Sequence, residues 1–372
     1  EGVGLVRGGK QASALPAISR PCNLKWCKHR NIIQPAGGKY MASALIRAAF
    51  GAVLAAVLPF GAQSAAADVP LIDRFVVFGD SLSDPGNYFV DTREFEVRPY
   101  DPVPDAPYTI GRFHFTNGPT WIEQLARAFQ LHRSGRPALL RPGVYTNYAY
   151  GRTRARPAGE FQLGEQVDQF LADFDGAAAP DTLYVLWIGA EDLRDALGNP
   201  GNALAIITAA LGATAHNVQK LYMAGARSFL VLNLPDLGAT PALRALGPGA
   251  QQAATGLTVL YNEELETVLG QLRMLPGILI VRFDVFGGLN ALIADPDLAG
   301  LTNVTESCIT PFVFRRAICQ QPHNYLFWDF IHPTKAGHEY LAEQVQALLE
   351  TKFLIVRPVH RTAPPDVIAR FE

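Results

Sequence analysis

A three-layer α/β/α sandwich around a mostly parallel central sheet is the fold that this 372-residue sequence predicts. Short apolar runs alternate with longer segments of helical spacing, and strands buried on both faces of a parallel sheet have this apolar character. The runs stand at residues 74–78, 145–150, 183–188, 229–234 and 278–283. Between them, residues 121–129, 203–224 and 253–272 combine helical spacing with good helix formers. After Pro333-Thr334, residues 335–350 set Tyr340, Leu341, Val345, Leu348 and Leu349 on one stripe, which predicts a last helix packed on the sheet. Strands alternating with helices in this way place helices on both faces.

The ends of the chain read differently. Residues 1–40 carry seven basic residues against one acid and no sustained apolar period, and they read as an upstream segment outside the working protein. Met41 then opens a secretory signal pattern across residues 41–67: a short basic stretch to Arg47, an apolar run over 48–62, and small residues Ser64-Ala65-Ala66-Ala67 before Asp68. That run is shorter than the ~20 residues a membrane span needs and is rich in alanine and glycine, so cleavage near Ala67 and export to the periplasm or the medium are expected. One catalytic domain is expected over 68–355, followed by a tail over 356–372, because that length supports a single large core and no linker divides it. Composition agrees: hydrophobic residues are 49%, charged residues 18% and the net charge is −2, which supplies no field for a nucleic-acid partner.

The four cysteines form two unlike pairs. Cys22 and Cys27 lie upstream, and one Cys-x4-Cys without a second pair is a poor zinc signal. Cys308 and Cys319 lie in the domain, and an even pair in an exported chain predicts a disulfide that tethers the approach to residues 329–332.

Chemistry is concentrated in two places. Gly79-Asp80-Ser81-Leu82-Ser83-Asp84 follows the apolar run Phe75-Val76-Val77-Phe78, and Asp329-Phe330-Ile331-His332-Pro333-Thr334 stands just before the last helix. A serine hydroxyl is a poor nucleophile near neutrality, so it needs a base to take its proton and a third group to orient that base. Ser81, His332 and Asp329 fill those roles in the predicted mechanism. A side chain leaving the C-terminal end of a buried parallel strand emerges in the crevice where open α/β sheets bind ligands. Taken alone, the first block also reads as a capped strand-to-helix turn, and the second as an ion pair beside a helix start.

With both blocks in place, the sequence resembles the GDSL family of lipases and esterases, also called SGNH hydrolases, over about residues 75–349. The matching segments are Phe78-Gly79-Asp80-Ser81-Leu82-Ser83-Asp84-Pro85-Gly86-Asn87, Thr116-Asn117-Gly118-Pro119-Thr120-Trp121, Asn233-Leu234-Pro235-Asp236-Leu237-Gly238 and Trp328-Asp329-Phe330-Ile331-His332-Pro333-Thr334. The branch it is most similar to is that of secreted bacterial phospholipases, lecithinases and hemolysins. The resemblance implies a flavodoxin-like sheet and hydrolysis of carboxylic esters, with lipid or phospholipid esters favoured and contact at a membrane surface. Acyl transfer to an alcohol acceptor stays open. It also implies an oxyanion hole built from the Ser81 N–H, the N–H of Gly151 in Asn147-Tyr148-Ala149-Tyr150-Gly151, and an asparagine in a G-x-N-D block.

That third block departs from the family. This chain reads Gly189-Ala190-Glu191-Asp192, so Glu191 stands where the asparagine donor belongs. Losing one oxyanion donor costs about 10²–10³ in turnover, and an ionised carboxylate accepts hydrogen bonds without donating any. Three outcomes follow: Glu191 is protonated and donates, it turns outward, or the protein is slow or binds lipids and esters without cleaving them.

Nothing else competes strongly. His29, His132, His216, His338 and His360 lack an acid so placed, Asp84 and Asp192 read as carboxylates bonding backbone in their turns, and no spacing such as H-E-x-x-H points to a metal. No cofactor is expected. The aromatic- and proline-rich stretch 89–115 directly after the nucleophile reads as an acyl-chain wall, a lid, or packing over the sheet edge.

Overall fold

β-branched and aromatic residues dominate the strands of the central sheet; the two inner strands, 182–187 and 228–232, are buried along their whole length, while the edge strand 279–283 exposes Arg282. The structure is a computed structural model and describes residues 69–94, 108, 110–313 and 315–356. The upstream segment, the signal pattern, Cys22, Cys27, His29, His360, residues 95–107 and 109 of the 89–115 stretch, Phe314 and the tail beyond Val356 lie outside the described residues.

In chain order the strands are β1 (Leu71–Ile72), β2 (Arg74–Gly79), β3 (Thr182–Trp187), β4 (Ser228–Leu232), β5 (Leu279–Phe283), β6 (Asn303–Ser307), β7 (Tyr325–Phe327) and β8 (Leu354–Ile355). The helices are α1 (Asn87–Thr92), α2 (Trp121–Ala128), α3 (Leu163–Asp173), α4 (Ala190–Gly198), α5 (Ala203–Met223), α6 (Pro241–Ala245), α7 (Pro248–Leu272), α8 (Val285–Ala294) and α9 (Lys335–Glu350). Strands β2, β3, β4 and β5 are parallel neighbours in that order. The expected strand at 145–150 is an extended segment on the outer side of β2. It is tied by Val77 N–H to Thr146 O (2.9 Å), Tyr148 N–H to Val77 O (2.8 Å) and Tyr150 N–H to Gly79 O (3.0 Å). Counted with it, the spatial order is 2-1-3-4-5, and the chain switches direction across the sheet at β2. Ligands of such sheets sit beyond the strand ends at that switch, which is where Ser81 lies.

Alternate strand residues serve the two faces. Phe75 and Val77 of β2 join Trp121 and Leu125 of α2 and Val345 and Leu349 of α9 in one core, while Phe78 and Tyr184 pack edge-on against Phe170 of α3 on the other side. Two ends of α helices are set by local chemistry. Thr120 and Glu123 form a reciprocal capping box at α2, and Thr334 Oγ1 accepts the Gly337 N–H at the start of α9. The helices α1, α3, α4, α6 and α8, and the small parallel pairs β1–β8 and β6–β7, lie outside the segments that the spacing predicts.

Cys308 and Cys319 are bridged, across 11 residues of sequence. The bridge closes a hairpin whose base is bonded to β7 and its continuation, through Cys308 N–H to Phe327 O and Ile309 N–H to Trp328 O, both 2.9 Å. The tether therefore ends one residue before Asp329. Closing a loop of this length stabilises the fold by roughly 3 kcal/mol in the chain-entropy account. Replacing both cysteines by serine should lower the unfolding free energy by about that amount in denaturant melts; an unchanged midpoint would mean that hydrogen bonds alone hold the hairpin.

Candidate active site

Ser81 lies two residues past the end of β2, in the turn that Asp80 closes by accepting the Leu82 N–H on Oδ1 (3.0 Å) while its carbonyl accepts the Ser83 N–H (3.0 Å). Gly79 is required there, since a Cβ would stand 2.7 Å from the Trp187 carbonyl oxygen of the neighbouring strand. Gln166 of α3 bonds both backbone groups of Gly79, at 2.9 Å each. The strand end is thereby clamped just before the serine.

The structure brings Ser81, His332 and Asp329 into one hydrogen-bonded line across 251 residues of sequence. Ser81 Oγ is 2.8 Å from His332 Nε2, and His332 Nδ1 is 2.8 Å from Asp329 Oδ2. Asp329 Oδ1 also accepts the Ile331 and His332 N–H groups at 2.9 and 2.7 Å, so one carboxylate shapes the turn and aligns the ring. A carboxylate can only accept, which puts the neutral imidazole's proton on Nδ1 and leaves Nε2 free to take the serine proton.

The His332 turn is braced from outside as well. Trp328 N–H donates to His332 O, Thr334 N–H to Leu326 O, Thr116 Oγ1 to Pro333 O and Lys335 N–H to Asn117 Oδ1, at 2.8, 2.8, 2.7 and 2.6 Å. The ring of Phe115 lies 5.5 Å from the imidazole, centroid to centroid. The Thr116-Asn117-Gly118 segment, which the family resemblance marked without a role, thus holds the far side of this turn. Gly118 permits it, because a Cβ would press on the Lys335 side chain.

Two expected oxyanion donors need correction. The Gly151 N–H donates to Asp84 Oδ2 at 2.8 Å and is not free for a substrate oxygen. Asp84 is buried without an ion-pair partner among the described residues, so it draws on four backbone donors, those of Gly86, Asn87, Tyr88 and Gly151. Burial still pushes its carboxyl up to about 6 against those donors. Glycine is needed at 151 for a different reason: the Phe115 ring occupies the place of a Cβ, 2.4 Å away. Glu191, in the first turn of α4, is not turned out to solvent. It is buried, and its Oε1 accepts from Arg194 at 2.5 Å one turn along the helix. The third donor, the Ser81 N–H, meets no acceptor among the described residues. Asp192 accepts the Ala155 N–H (2.7 Å) and the Arg156 guanidinium (2.8 Å), which also binds Asp195 with Arg154. That network fixes the 151–156 loop to α4. His338 is buried in α9 and its imidazole is pushed down to about 3, so it does not compete as a base.

Asp80 is the site residue that sequence reasoning passed over. It is 1% exposed and its Oδ2 has no hydrogen-bond partner among the described residues. Burial pushes its carboxyl up to about 7, with Glu191 and Asp192 pushing the same way and the Leu82 N–H and His332 pulling back. The available signal was an acid in a turn that follows a fully buried strand.

A parallel sheet with a hydroxyl, an imidazole and a carboxylate in line at its switch point has the layout of an α/β ester hydrolase. The family model for GDSL-like lipases and acylhydrolases matches residues 75–345, and the chain belongs to that family. It is 26% identical over 328 residues to phosphatidylcholine-sterol acyltransferase of Aeromonas hydrophila, covering 76% of this chain and 92% of that one. To the thermolabile hemolysin of Vibrio parahaemolyticus it is 27% identical over 297 residues, 74% of this chain and 63% of that one. Among solved structures, a catalytic mutant of an acetylxylan esterase from Geobacillus stearothermophilus aligns with 77% of this chain and 96% of its own, at 13% identity and a TM-score of 0.42. The protein is a hydrolase of ester bonds.

The raised carboxyl of Asp80 makes stability depend on pH. Its proton is held more tightly folded than unfolded, so its contribution is full below about pH 4 and is lost as pH rises through about 7. Asp80→Asn should therefore flatten the fall in Tm between pH 5 and pH 8, measured by thermal melts of both proteins. Parallel Tm profiles for the two would mean that Asp80 does not titrate in that window.

Proposed function

We propose that this chain is an exported serine esterase that cleaves lipid or phospholipid esters through an acyl-enzyme. The observation that carries the mechanism is the 2.8 Å contact of Ser81 Oγ with His332 Nε2, backed by Asp329. In this reading Ser81 attacks the ester carbonyl, its proton passes to Nε2, and Asp329 steadies the imidazolium that forms. The tetrahedral oxyanion is met by the Ser81 N–H. The proton then goes to the leaving alcohol, and a water activated by His332 releases the acid. An alcohol in place of that water would give acyl transfer, the reaction named for the Aeromonas hydrophila relative.

The lipid preference draws on relatives named as a phosphatidylcholine-sterol acyltransferase, a hemolysin and a lipase. Export draws on the signal pattern at 41–67 and on the disulfide, a bond that persists in oxidising compartments. A fluorophosphonate probe should label Ser81 in the chain from Asp68 onward, and His332→Ala should abolish labelling, both read by peptide mass mapping. Ser81→Ala should lower turnover of a simple ester by on the order of 10⁴-fold or more; retained turnover would remove Ser81 from the mechanism.

One observation favours a second reading, a slow or ester-binding homologue: Glu191 sits in the donor position as an acceptor paired with Arg194. Glu191→Asn should raise kcat, by up to about 10²-fold, with KM nearly unchanged. A drop in kcat would instead give the glutamate a catalytic role of its own.

A further inference from the structure

The disulfide hairpin is built inside out. Its base is apolar and covered: Cys308, Ile309 and Ala317 are buried with Trp328 and Tyr108, and Thr310 N–H to Ala317 O and Cys319 N–H to Cys308 O join its two arms. Its tip reads Pro311-Phe312-Val313-Phe314-Arg315-Arg316. There Phe312 is 62% exposed and Val313 36%. Arg315 and Arg316 are exposed too, and neither joins an ion pair among the described residues. No acid lies between the two cysteines.

Phe312 and Arg316 both hold left-handed backbone, at φ 59° and 56°. Such conformations are unfavourable for residues with a Cβ, and here the bridge and the arm-to-arm bonds offset them. The result is an aromatic held out in water by a cross-linked turn, beside two guanidinium groups without an ion-pair partner among the described residues. Solvent exposure of this kind marks an interaction surface when the residues are clustered and rimmed by charge.

We propose that Phe312, Val313, Arg315 and Arg316 dock the protein on an anionic lipid surface, with Phe312 and Val313 entering the headgroup layer and Arg315 and Arg316 facing lipid phosphates. A lipid surface fits better than a second protein. A stable protein interface takes about 800 Å² from each partner, far more than six residues of a convex tip supply. A few apolar side chains with flanking cations are what an interfacial anchor needs, since burial in the acyl boundary and attraction to anionic headgroups add. The hairpin base is bonded to Trp328, the residue before Asp329, so the tip is carried on the segment that leads into the His332 turn. For that purpose the proposal rests on the lipid-ester reading, and its test keeps the two apart.

The chain from Asp68 onward is sedimented with vesicles of phosphatidylcholine and of phosphatidylcholine mixed with phosphatidylglycerol, beside turnover of a dissolved short-chain ester. The wild type should bind the anionic vesicles more tightly than the neutral ones. Phe312→Asp should weaken that binding about ten-fold or more, and Arg315→Ala with Arg316→Ala by about five-fold per charge with loss of salt sensitivity. Short-chain turnover should stay unchanged in each, which also certifies the fold; Phe312→Ser serves if the aspartate variant fails that check. Vesicle binding that is absent in the wild type, or equal in wild type and variants, overturns the proposal. Tip-dependent binding without cleavage of long-chain esters, while the short ester is cleaved, supports docking and counts against the lipid substrate alone.

Discussion

The buried carboxylate of Asp329 is the contact on which the rest of this site depends. One oxygen takes two backbone N–H groups and so creates the turn; the other takes His332 Nδ1 and so directs the ring at Ser81. Stripped of those donors the carboxylate would be a buried, unpaired charge, which is among the costlier things a fold can contain. Everything around the turn serves that geometry. Trp328 and Leu326 hold it from the strand side, Thr116 and Asn117 from the opposite side, and the disulfide hairpin anchors the strand that leads into it.

The other wall of the site is organised by competition for donors. Asp84 and Asn87 act as a clamp between the Ser81 turn and the extended 146–150 segment: Asn87 Nδ2 donates to Asn147 O and Ala149 O, both at 2.8 Å, and Asp84 collects four N–H groups that include that of Gly151. The segment is thus held beside β2 at the cost of one N–H that the family pattern assigns to the oxyanion. With Glu191 bound to Arg194, the Ser81 N–H is the one expected donor that meets no acceptor among the described residues. Asp80, Glu191 and Asp192 meanwhile gather acid beside the nucleophile, and Asp80 responds by keeping its proton to higher pH. The same fold therefore joins a well-aligned Ser81–His332–Asp329 line to a wall where the Gly151 N–H and the Glu191 carboxyl are already engaged.

Most of the architecture was legible before any coordinates. The five buried runs and the long helices α5, α7 and α9 fall where spacing put them, because a strand or a long helix imprints its period on local sequence. Ser81, His332 and Asp329 were legible for the same reason: each sits at the end of a readable element, with side chains whose chemistry suits one another. The Cys308–Cys319 bridge followed from pairing arithmetic within one domain. Less legible were α3, α4 and α8, and the partners of individual polar atoms.

Sequence by itself determined which groups this protein possesses and on which elements they ride: a serine at a strand end, a histidine and an aspartate before a helix, a glutamate at a helix start. Tertiary structure alone decided what those groups touch. Gly151 meets Asp84 across 67 residues, the Thr116-Asn117 segment meets the His332 turn across more than 200, and one Asp80 oxygen has no partner among the described residues. Local propensity carries no record of such contacts, because desolvation and the sharing of hydrogen-bond donors are settled only when distant segments are packed together.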